Sequence, residues 1–510
     1  MIFMSTINKH PYNADVSFDG GDLDCGNGLL LLIRKHIDPL DRGGLLEILS
    51  TDTSVKEDLP AWCRMTKNEL ISMTENGRQR SYLVCKGNLI EREKKSVAPL
   101  LVSIKANVNV VIPDQLPLPS KAPDILPFSV SGIGSWPRPR WMLSAMHNHM
   151  EGRLSEEEFQ ATADDAVRLV VEAQLRAGVD IITDGEQRRD SYSSFVAGIL
   201  DNCQLIPLTD LLPLVDDPEE FERELRALDV PAGDVRHPAV FGPLGRSLPL
   251  ALHEYQFVKT LTPKPIKVAL PGPYLLTRTM WMECISDRAY LSRETLAVDI
   301  VRVLREELAF LLSSGTALVQ FDEPVLTEVV FTGAKTQRSF MCGALSEKGA
   351  PADELAFARD LINAVVEGFP IERTAIHMCR GNWTTDESTC LAGNYEPLLE
   401  TLRAVNVGTY FLELCTPRAG ELEVLRTLPD DRRIGIGVVN QKLTTVESVN
   451  DIVSKLESAV NIFGSKRILI NPDCGFATFA DNPVTSSLIA EKKLANMVRA
   501  AGIMRDHYSR

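Results

Sequence analysis

The sequence predicts an α/β protein in which a small α+β domain of βαβαββ order precedes a (β/α)8 barrel, the TIM barrel. Three observations support this prediction. Eight short apolar runs follow residue 127, amphipathic helical patterns lie in most of the gaps between them, and most of the runs end in residues able to do chemistry. Strands that alternate with helices build a parallel sheet through right-handed crossovers, and a barrel places its active site at the carboxyl ends of its strands.

The small domain is assigned to residues 1–90 and a linker to residues 91–127. Its predicted elements are strand Val16–Phe18, helix Leu29–His36, strand Leu45–Ser50, helix Leu59–Thr66, and strands Leu70–Met73 and Ser81–Val84. The last two strands flank Asn76-Gly77, a dipeptide typical of a hairpin turn. The linker is rich in proline from Val111 onward and lacks a helical or strand period, so we expect a semi-rigid connection.

The barrel is assigned to residues 128–510. Its predicted strands are Val130–Gly134, Val179–Ile182, Ile266–Leu270, Leu318–Phe321, Thr374–His377, Tyr410–Leu412, Ile434–Val439 and Ile468–Ile470. Its predicted helices are Glu156–Ala177, Arg293–Leu312, Asp353–Val366, Glu396–Ala404, Val446–Val460 and Ile489–Ala501. The gap between the second and third strands is longer than one helix needs, which predicts an excursion that covers part of the barrel.

Composition argues against several classes of protein. A net charge of −15 disfavours a nucleic-acid surface or a basic membrane-binding face, because either needs clustered Lys and Arg. The first residues lack the pattern of a signal peptide, and no apolar run approaches the length of a membrane span. We expect a soluble, cytoplasmic protein whose ten cysteines are buried thiols and metal ligands.

Four residues with zinc-type side chains stand at the ends of predicted strands. His377 and Cys379 lie two apart and therefore leave one face of a strand, Glu413 follows the next strand, and Cys474 follows the last one. A His-x-Cys pair alone is more often core, but its place beside the other two ligand types favours Zn²⁺. Glu413 is the exchangeable ligand in this set, so a substrate thiol could replace it and lose its proton.

Several motifs resemble the catalytic barrel of the cobalamin-independent methionine synthase family from about Phe128 to Arg510. They are Ile133-Gly134-Ser135-Trp136-Pro137, Asp184-Gly185-Glu186, Gln320-Phe321-Asp322-Glu323-Pro324, His377-Met378-Cys379, Glu413 and Asn471-Pro472-Asp473-Cys474-Gly475-Phe476. The resemblance implies that the four zinc-type residues ligate zinc. It also implies that Ser135, with the backbone around Ile133, binds the carboxylate of homocysteine, while Glu186 and Asp322 bind its ammonium group and act in catalysis.

The charge pattern agrees with a zwitterionic substrate, because two carboxylates beside a small-residue turn suit an amino acid. The structural alternative is ion pairing of Asp322 or Glu323 with barrel arginines such as Arg188 or Arg380.

One departure concerns the seventh strand, where the family's Asp-x-His is Asn440-Gln441-Lys442 and a candidate proton donor is missing. The family's second, N-terminal barrel also has no counterpart, so the chain is more similar to short, single-barrel members.

The N-terminal domain resembles the TusA/SirA-type sulfur carriers over about residues 13–87. Leu23–Gly28 and Asp58–Cys63 carry the resemblance. In that family a cysteine at a helix start carries a persulfide, which here implies Cys25, and a helix N-terminus does lower the pKa of a thiol. The family's Cys-Pro-x-Pro is Cys25-Gly26-Asn27-Gly28 here, so an architectural or docking role stays open beside sulfur carriage.

The predicted function is zinc-dependent methyl or alkyl transfer to a thiol, with homocysteine as acceptor and methionine as product. The methyl donor is methylated folate or a methylated corrinoid protein, and a sulfur-relay protein is a further candidate partner. One alternative is the addition of a thiol to an epoxide or another alkyl electrophile. The other is a non-catalytic sulfur or metal carrier in which zinc is structural.

Overall fold

The computed structural model describes residues 9–24, 28–89, 92, 115–207, 236–281, 286, 289–331, 349–382, 385, 387, 390–481 and 483–508. The chain divides into two compact units. The first is built mainly on Met1–Val108 and the second on Asn109–Leu205, Glu224–Met282 and Ala289–Arg510. Cys25 lies outside the described residues.

The first unit has a four-stranded sheet of order β1-β2-β4-β3. Its elements are β1 Val16–Asp19, α1 Leu30–Ile37, β2 Leu45–Ser50, α2 Val55–Met65, β3 Glu69–Asn76 and β4 Gln79–Cys85. β1 pairs with β2 in parallel, and β4 pairs antiparallel with β2 and β3. The order of elements is the predicted one, but α2 begins at Val55, four residues earlier than expected. Buried Val55 and Leu59 lie four residues apart and extend one apolar face of the helix by a further turn.

The second unit is organised around a six-stranded parallel sheet of order β12-β11-β10-β9-β8-β7. Its strands are β7 Lys267–Pro271, β8 Leu318–Asp322, β9 Thr374–Met378, β10 Thr409–Leu412, β11 Arg433–Val439 and β12 Ile468–Pro472. A separate two-stranded sheet is formed by β5 Asp201–Pro207 and β6 Arg236–Gly245. This small sheet lies in the long gap where the sequence predicts an excursion.

Two predicted strands of the barrel form only isolated parallel bridges. Val130 bridges Ile470 of β12, Ser131 bridges Ile181, and Ile182 bridges Ile266 next to β7. These segments therefore lie between the two edge strands of the six-stranded sheet. The N–H of Val130 donates to the carboxylate of Asp180 at 2.8 Å, while its carbonyl accepts from the backbone N–H of Ile181.

The helices of the second unit fill the gaps between the strands. They are α3 Arg140–Met150, α4 Glu156–Ala177, α5 Leu252–Leu261, α6 Pro273–Met280, α7 Arg293–Ser314, α8 Val325–Phe331, α9 Pro351–Val366, α10 Leu399–Ala404, α11 Val449–Phe463 and α12 Ser487–Tyr508. α4 begins and ends where predicted, because Ser155 and Glu158 form a capping box and Gly178 ends the helix at a φ of +85°. α11 begins three residues later than predicted, since Ser448 caps it by accepting from the N–H of Asp451. Among the described residues, none of the helices has the length and apolar character to cross a bilayer.

Candidate metal and substrate site

Three predicted zinc ligands meet at the carboxyl ends of β9 and β12. One ligand atom each of His377, Cys379 and Cys474 lies within 4.8 Å of the other two, and all three side chains are buried. β9 places His377 and Cys379 two residues apart at its end, and β12 places Cys474 two residues past its own. The site therefore presents imidazole and two sulfurs, which suit Zn²⁺.

The His377 ring is fixed by a carboxylate on the neighbouring strand. Asp322 of β8 pairs in register with His377 of β9, and Nδ1 of His377 lies 3.0 Å from Oδ1 of Asp322. Burial acts to lower the pKa of His377, but the hydrogen bond and charge of Asp322 raise it above its ordinary value. Nε2 is buried and has no hydrogen-bond partner in the described part of the chain, so with Nδ1–H donated to Asp322 its lone pair is available to a metal.

The two cysteine thiols shift each other's pKa. The contact with Cys474 lowers the pKa of Cys379 and raises that of Cys474, while burial raises the pKa of both thiols. A bound divalent cation would favour the thiolate form of both side chains.

Glu413, the fourth predicted ligand, lies outside this cluster. Its Oε2 accepts from the backbone N–H of Arg380 at 2.9 Å and from Nδ2 of Asn382 at 2.7 Å. Its Oε1 lies 2.8 Å from Nη2 of Arg418. Two of these donors follow Cys379 closely in the chain, so Glu413 borders the cluster without joining it. Its role as a zinc ligand stays a prediction.

Asp473 connects the chain segments that carry Glu413 and Cys474. Its Oδ1 accepts from the N–H groups of Leu414 and Cys415 at 2.9 and 2.8 Å, and burial raises its pKa to about 8. A Cβ on Gly437 would overlap this carboxylate, so only glycine fits there. Asp473 fixes the distance between two segments of the site, a role that the sequence analysis missed.

Glu186 supplies another buried carboxylate at the site. It follows the segment at residues 181–182, and its Oε2 has no hydrogen-bond partner among the described residues. Burial raises its pKa to about 8; the charge of Arg189 opposes the shift and that of Asp322 adds to it. Gly134 lies against its Oε1 so closely that a Cβ there would overlap the carboxylate. An ammonium group could satisfy such a carboxylate.

Lys267 is a buried cation that the sequence analysis did not identify. Its Nζ donates to the carbonyl of Gly132 at 2.6 Å and to Oε1 of Gln320 at 2.7 Å, and lies 4.2 Å from the ring centre of Phe411. Burial lowers its pKa to about 7. Nε2 of Gln320 in turn donates to Oδ1 of Asp322 at 2.7 Å. A hydrogen-bonded chain therefore runs from Lys267 to the ring of His377.

Ser135 and Ile133 occupy the turn opposite Cys474. The Ser135 carbonyl accepts from the N–H of Phe476 at 3.0 Å, and the Ser135 hydroxyl oxygen Oγ accepts from the N–H of Ala477 at 3.3 Å. The Ile133 side chain is part of an apolar cluster with Phe411 and other strand residues. Only the backbone of Ile133 is thus left for the predicted contact with a substrate carboxylate.

Among the described residues, Glu323 forms no ion pair with a barrel arginine, so this predicted alternative is wrong. Its two oxygens accept from the N–H groups of Tyr274 and Leu275 at 2.7 and 2.9 Å, in the first turn of α6. Arg188 instead contacts Asp164, and Arg380 donates to the carbonyl of Gly393. Glu323 caps a helix, and its neighbour Asp322 orients the histidine.

The segment that replaces the family's Asp-x-His is buried. Nδ2 of Asn440 donates to Oε1 of Glu387 at 2.6 Å, and Nζ of Lys442 donates to the sulfur of Cys390. Cys390 thus has a polar partner in addition to its packing contacts.

Fold and site together define a class of protein, the α/β proteins that gather soft metal ligands at the carboxyl ends of parallel strands. The model of the family "Cobalamin-independent synthase, Catalytic domain" matches residues 128–205 and 230–503. The chain therefore belongs to this family. The matched residues all lie beyond the first 127.

Curated relatives and solved structures agree with this membership. The methionine synthases of Sulfurisphaera tokodaii and Thermococcus kodakarensis are both 27% identical to the chain, over 75% and 76% of it and 93% and 95% of their own lengths. The B12-independent methionine synthase from Shewanella sp. W3-18-1, in complex with selenomethionine, superposes with a TM-score of 0.56 at 22% identity. The putative vitamin-B12 independent methionine synthase from Listeria monocytogenes gives 0.53 at 19%. Each of these structures covers 75% of this chain and is itself covered to 99%, and the likeness concerns the fold.

The raised pKa of Glu186 predicts a pH-dependent effect of the substitution Glu186→Gln. Because the folded state binds this proton more tightly than the unfolded chain, the wild type loses stability as pH rises from about 4.5 to about 8. Glutamine does not titrate, so the variant does not lose stability in this way. The unfolding free energy of Glu186→Gln relative to the wild type is therefore expected to rise by about 1 kcal/mol per pH unit across that window.

Thermal melting of wild type and variant at pH 5, 6.5 and 8 measures this advantage. Glu157→Gln in α4 is the matched control, since that side chain is exposed and its replacement should produce no trend. A difference between Glu186→Gln and wild type that stays constant with pH would contradict the shift.

Proposed function

We propose that this protein transfers a methyl group to the sulfur of homocysteine and forms methionine, with zinc bound by His377, Cys379 and Cys474. The observation that carries the proposal is the buried cluster of these three ligand atoms in a chain of this family. The names of the relatives support the substrate, because the chain covers more than nine tenths of their length. The six-stranded sheet and its two bridged segments are proposed to be the eight strands of a (β/α)8 barrel.

The residues of the cluster fit a zinc ion. Among the described residues, His377 has a buried Nε2 without a hydrogen-bond partner, its ring is oriented by Asp322, and the sulfur of Cys474 lowers the pKa of Cys379. These features match a soft tetrahedral site whose histidine is held by an outer carboxylate. When bound, zinc would lower the pKa of the substrate thiol and hold it as a nucleophilic thiolate. Glu413 is the proposed fourth, exchangeable ligand.

The remaining residues are proposed to bind the amino-acid part of the substrate. The Glu186 carboxylate, whose Oε2 has no hydrogen-bond partner among the described residues, would receive the ammonium group together with Asp322. The Ser135 turn and the backbone at Ile133 would receive the carboxylate. Bound in this way, the substrate sulfur has a defined position, which lowers the entropic cost of meeting the donor carbon.

For the N-terminal unit we propose a TusA-like domain over residues 1–90, joined by a linker at 91–127 to the barrel at 128–510. The β-α-β-α-β-β order supports this assignment. Persulfide carriage by Cys25 is the sharper hypothesis. Turnover that is unchanged in Cys25→Ser would remove the support for it.

The decisive assay incubates zinc-loaded protein with homocysteine and either methylcobalamin or methylated folate, and measures methionine. We expect methionine from methylcobalamin and much less from folate, because Asn440-Gln441-Lys442 lacks the family's histidine. No methionine from either donor, together with consumption of a thiol by an epoxide, would favour the alkyl-electrophile alternative. A cobalt-substituted site whose spectrum ignores added homocysteine would instead indicate structural metal.

A further inference from the structure

We propose that Arg418 is a positioning residue which, with Asn382 and the N–H of Arg380, docks the Glu413 carboxylate away from the metal cluster. We call these three groups the dock. While they hold Glu413, the fourth ligand position of the metal is free for the substrate thiol. This inference rests on the proposed function, since it concerns the exchange of Glu413 for that thiol.

The contacts of Glu413 show that donors and a countercharge for its carboxylate are present beside the metal cluster. The N–H of Arg380 and Nδ2 of Asn382 donate to one oxygen, and Nη2 of Arg418 lies 2.8 Å from the other. The side chain is fully buried. A buried carboxylate needs donors and a countercharge. Here Oε2 has two donors and Oε1 faces the Arg418 guanidinium, although Oε1 accepts no hydrogen bond among the described residues.

Arg418 is itself held in place from several sides. Its Nη1 contacts Glu387, and its Nη2 lies 3.2 Å from Oδ1 of Asn382. Its carbonyl accepts from the N–H of Gly393 at 2.9 Å. Only 12% of the side chain is exposed. The guanidinium is therefore a fixed partner, and the carboxylate is the group that moves.

The dock explains how a thiol could displace a buried carboxylate. An anion that leaves a metal inside a protein is strongly disfavoured if it meets no partner. With Arg418, Asn382 and the Arg380 N–H in place, the departing Glu413 exchanges one set of favourable contacts for another. Removal of the arginine charge should therefore keep Glu413 on the metal and oppose thiol binding.

Titration of cobalt-substituted protein with homocysteine tests this inference by absorption spectroscopy, without a methyl donor. In Arg418→Gln, we expect stoichiometric metal, a half-saturating homocysteine concentration raised at least about 10-fold, and higher zinc affinity in chelator competition. Arg418→Lys keeps the charge and should shift the midpoint less. Arg426→Gln is the matched control, because Arg426 pairs with exposed Glu423 three residues earlier and should leave the midpoint unchanged.

A double variant separates docking from a general structural effect. In Glu413→Gln the carboxylate charge is absent, so adding Arg418→Gln should produce little further change in the homocysteine midpoint. An Arg418→Gln protein that binds cobalt and homocysteine as the wild type does would overturn the dock and leave the proposed function intact. Loss of metal from Arg418→Gln with normal metal in Arg418→Lys would overturn it as well. Absence of stoichiometric metal in the wild type would overturn both proposals.

Discussion

Replacement of Cys379 by serine is expected to abolish stoichiometric zinc binding and to lower methyl transfer by at least about 1000-fold. A serine hydroxyl does not ionise near neutral pH, and it is a poor ligand for a metal that prefers sulfur. The replacement also removes the thiol whose contact raises the pKa of Cys474. Elemental analysis of the purified variant and its kcat/KM for homocysteine measure the two effects.

The matched control is Cys203→Ala in β5. Cys203 is also buried, and burial raises the pKa of its thiol, but it is not part of the cluster. This variant should keep its zinc and most of its activity while losing some stability through the lost sulfur contacts. Equal loss of zinc in both variants would show that general destabilisation, and not the removal of a ligand, releases the metal.

Much of the second unit follows from local patterns in the sequence. The strands β7 to β12 lie within two residues of their predicted bounds, because short buried apolar runs between turn residues leave little choice of register. Since parallel strands place their carboxyl ends at one edge, ligands at the ends of β9 and β12 could be expected to meet. His377, Cys379 and Cys474 do meet there.

The partners of the charged groups could not be predicted in the same way. Glu413 is bound by Arg418 and Asn382, which come from two different loops, and no local pattern relates them. Lys267 is the first residue of an apolar strand, a position that suggests an exposed side chain. Its amine instead donates to Gln320 inside the sheet. Such pairings depend on which residues the fold brings together. A sequence therefore shows that a charged residue is present more readily than it shows which group that residue contacts.

Among the described residues, the first two predicted strands form isolated bridges instead of a continuous ladder. The segments have the apolar character of strands, and their bridges are parallel as expected. The Asp180 carboxylate competes for the N–H of Val130, and side-chain acceptors of this kind are not visible in a hydrophobic period.

The second large effect is expected for the substitution Asp322→Asn, which should weaken zinc binding by about 10- to 100-fold. The asparagine amide would retain a hydrogen-bond acceptor for Nδ1 of His377, but it would lose the charge that raises the pKa of the ring and strengthens its bond to a metal. Under the proposed function the variant would also lose its attraction for the substrate ammonium. Chelator competition measures the first effect, and comparison of KM for homocysteine with KM for a thiol acid that lacks the amino group isolates the second.

The adjacent residue provides a sharp control for Asp322→Asn. Glu323→Gln also removes one buried carboxylate from the same turn, but that carboxylate caps α6 through Tyr274 and Leu275 and does not contact His377. The control should therefore lower the melting temperature and leave zinc affinity unchanged. If both variants lost zinc to the same extent, the orientation of His377 by Asp322 would not be what determines the affinity, and general destabilisation of the strand end would be the better explanation.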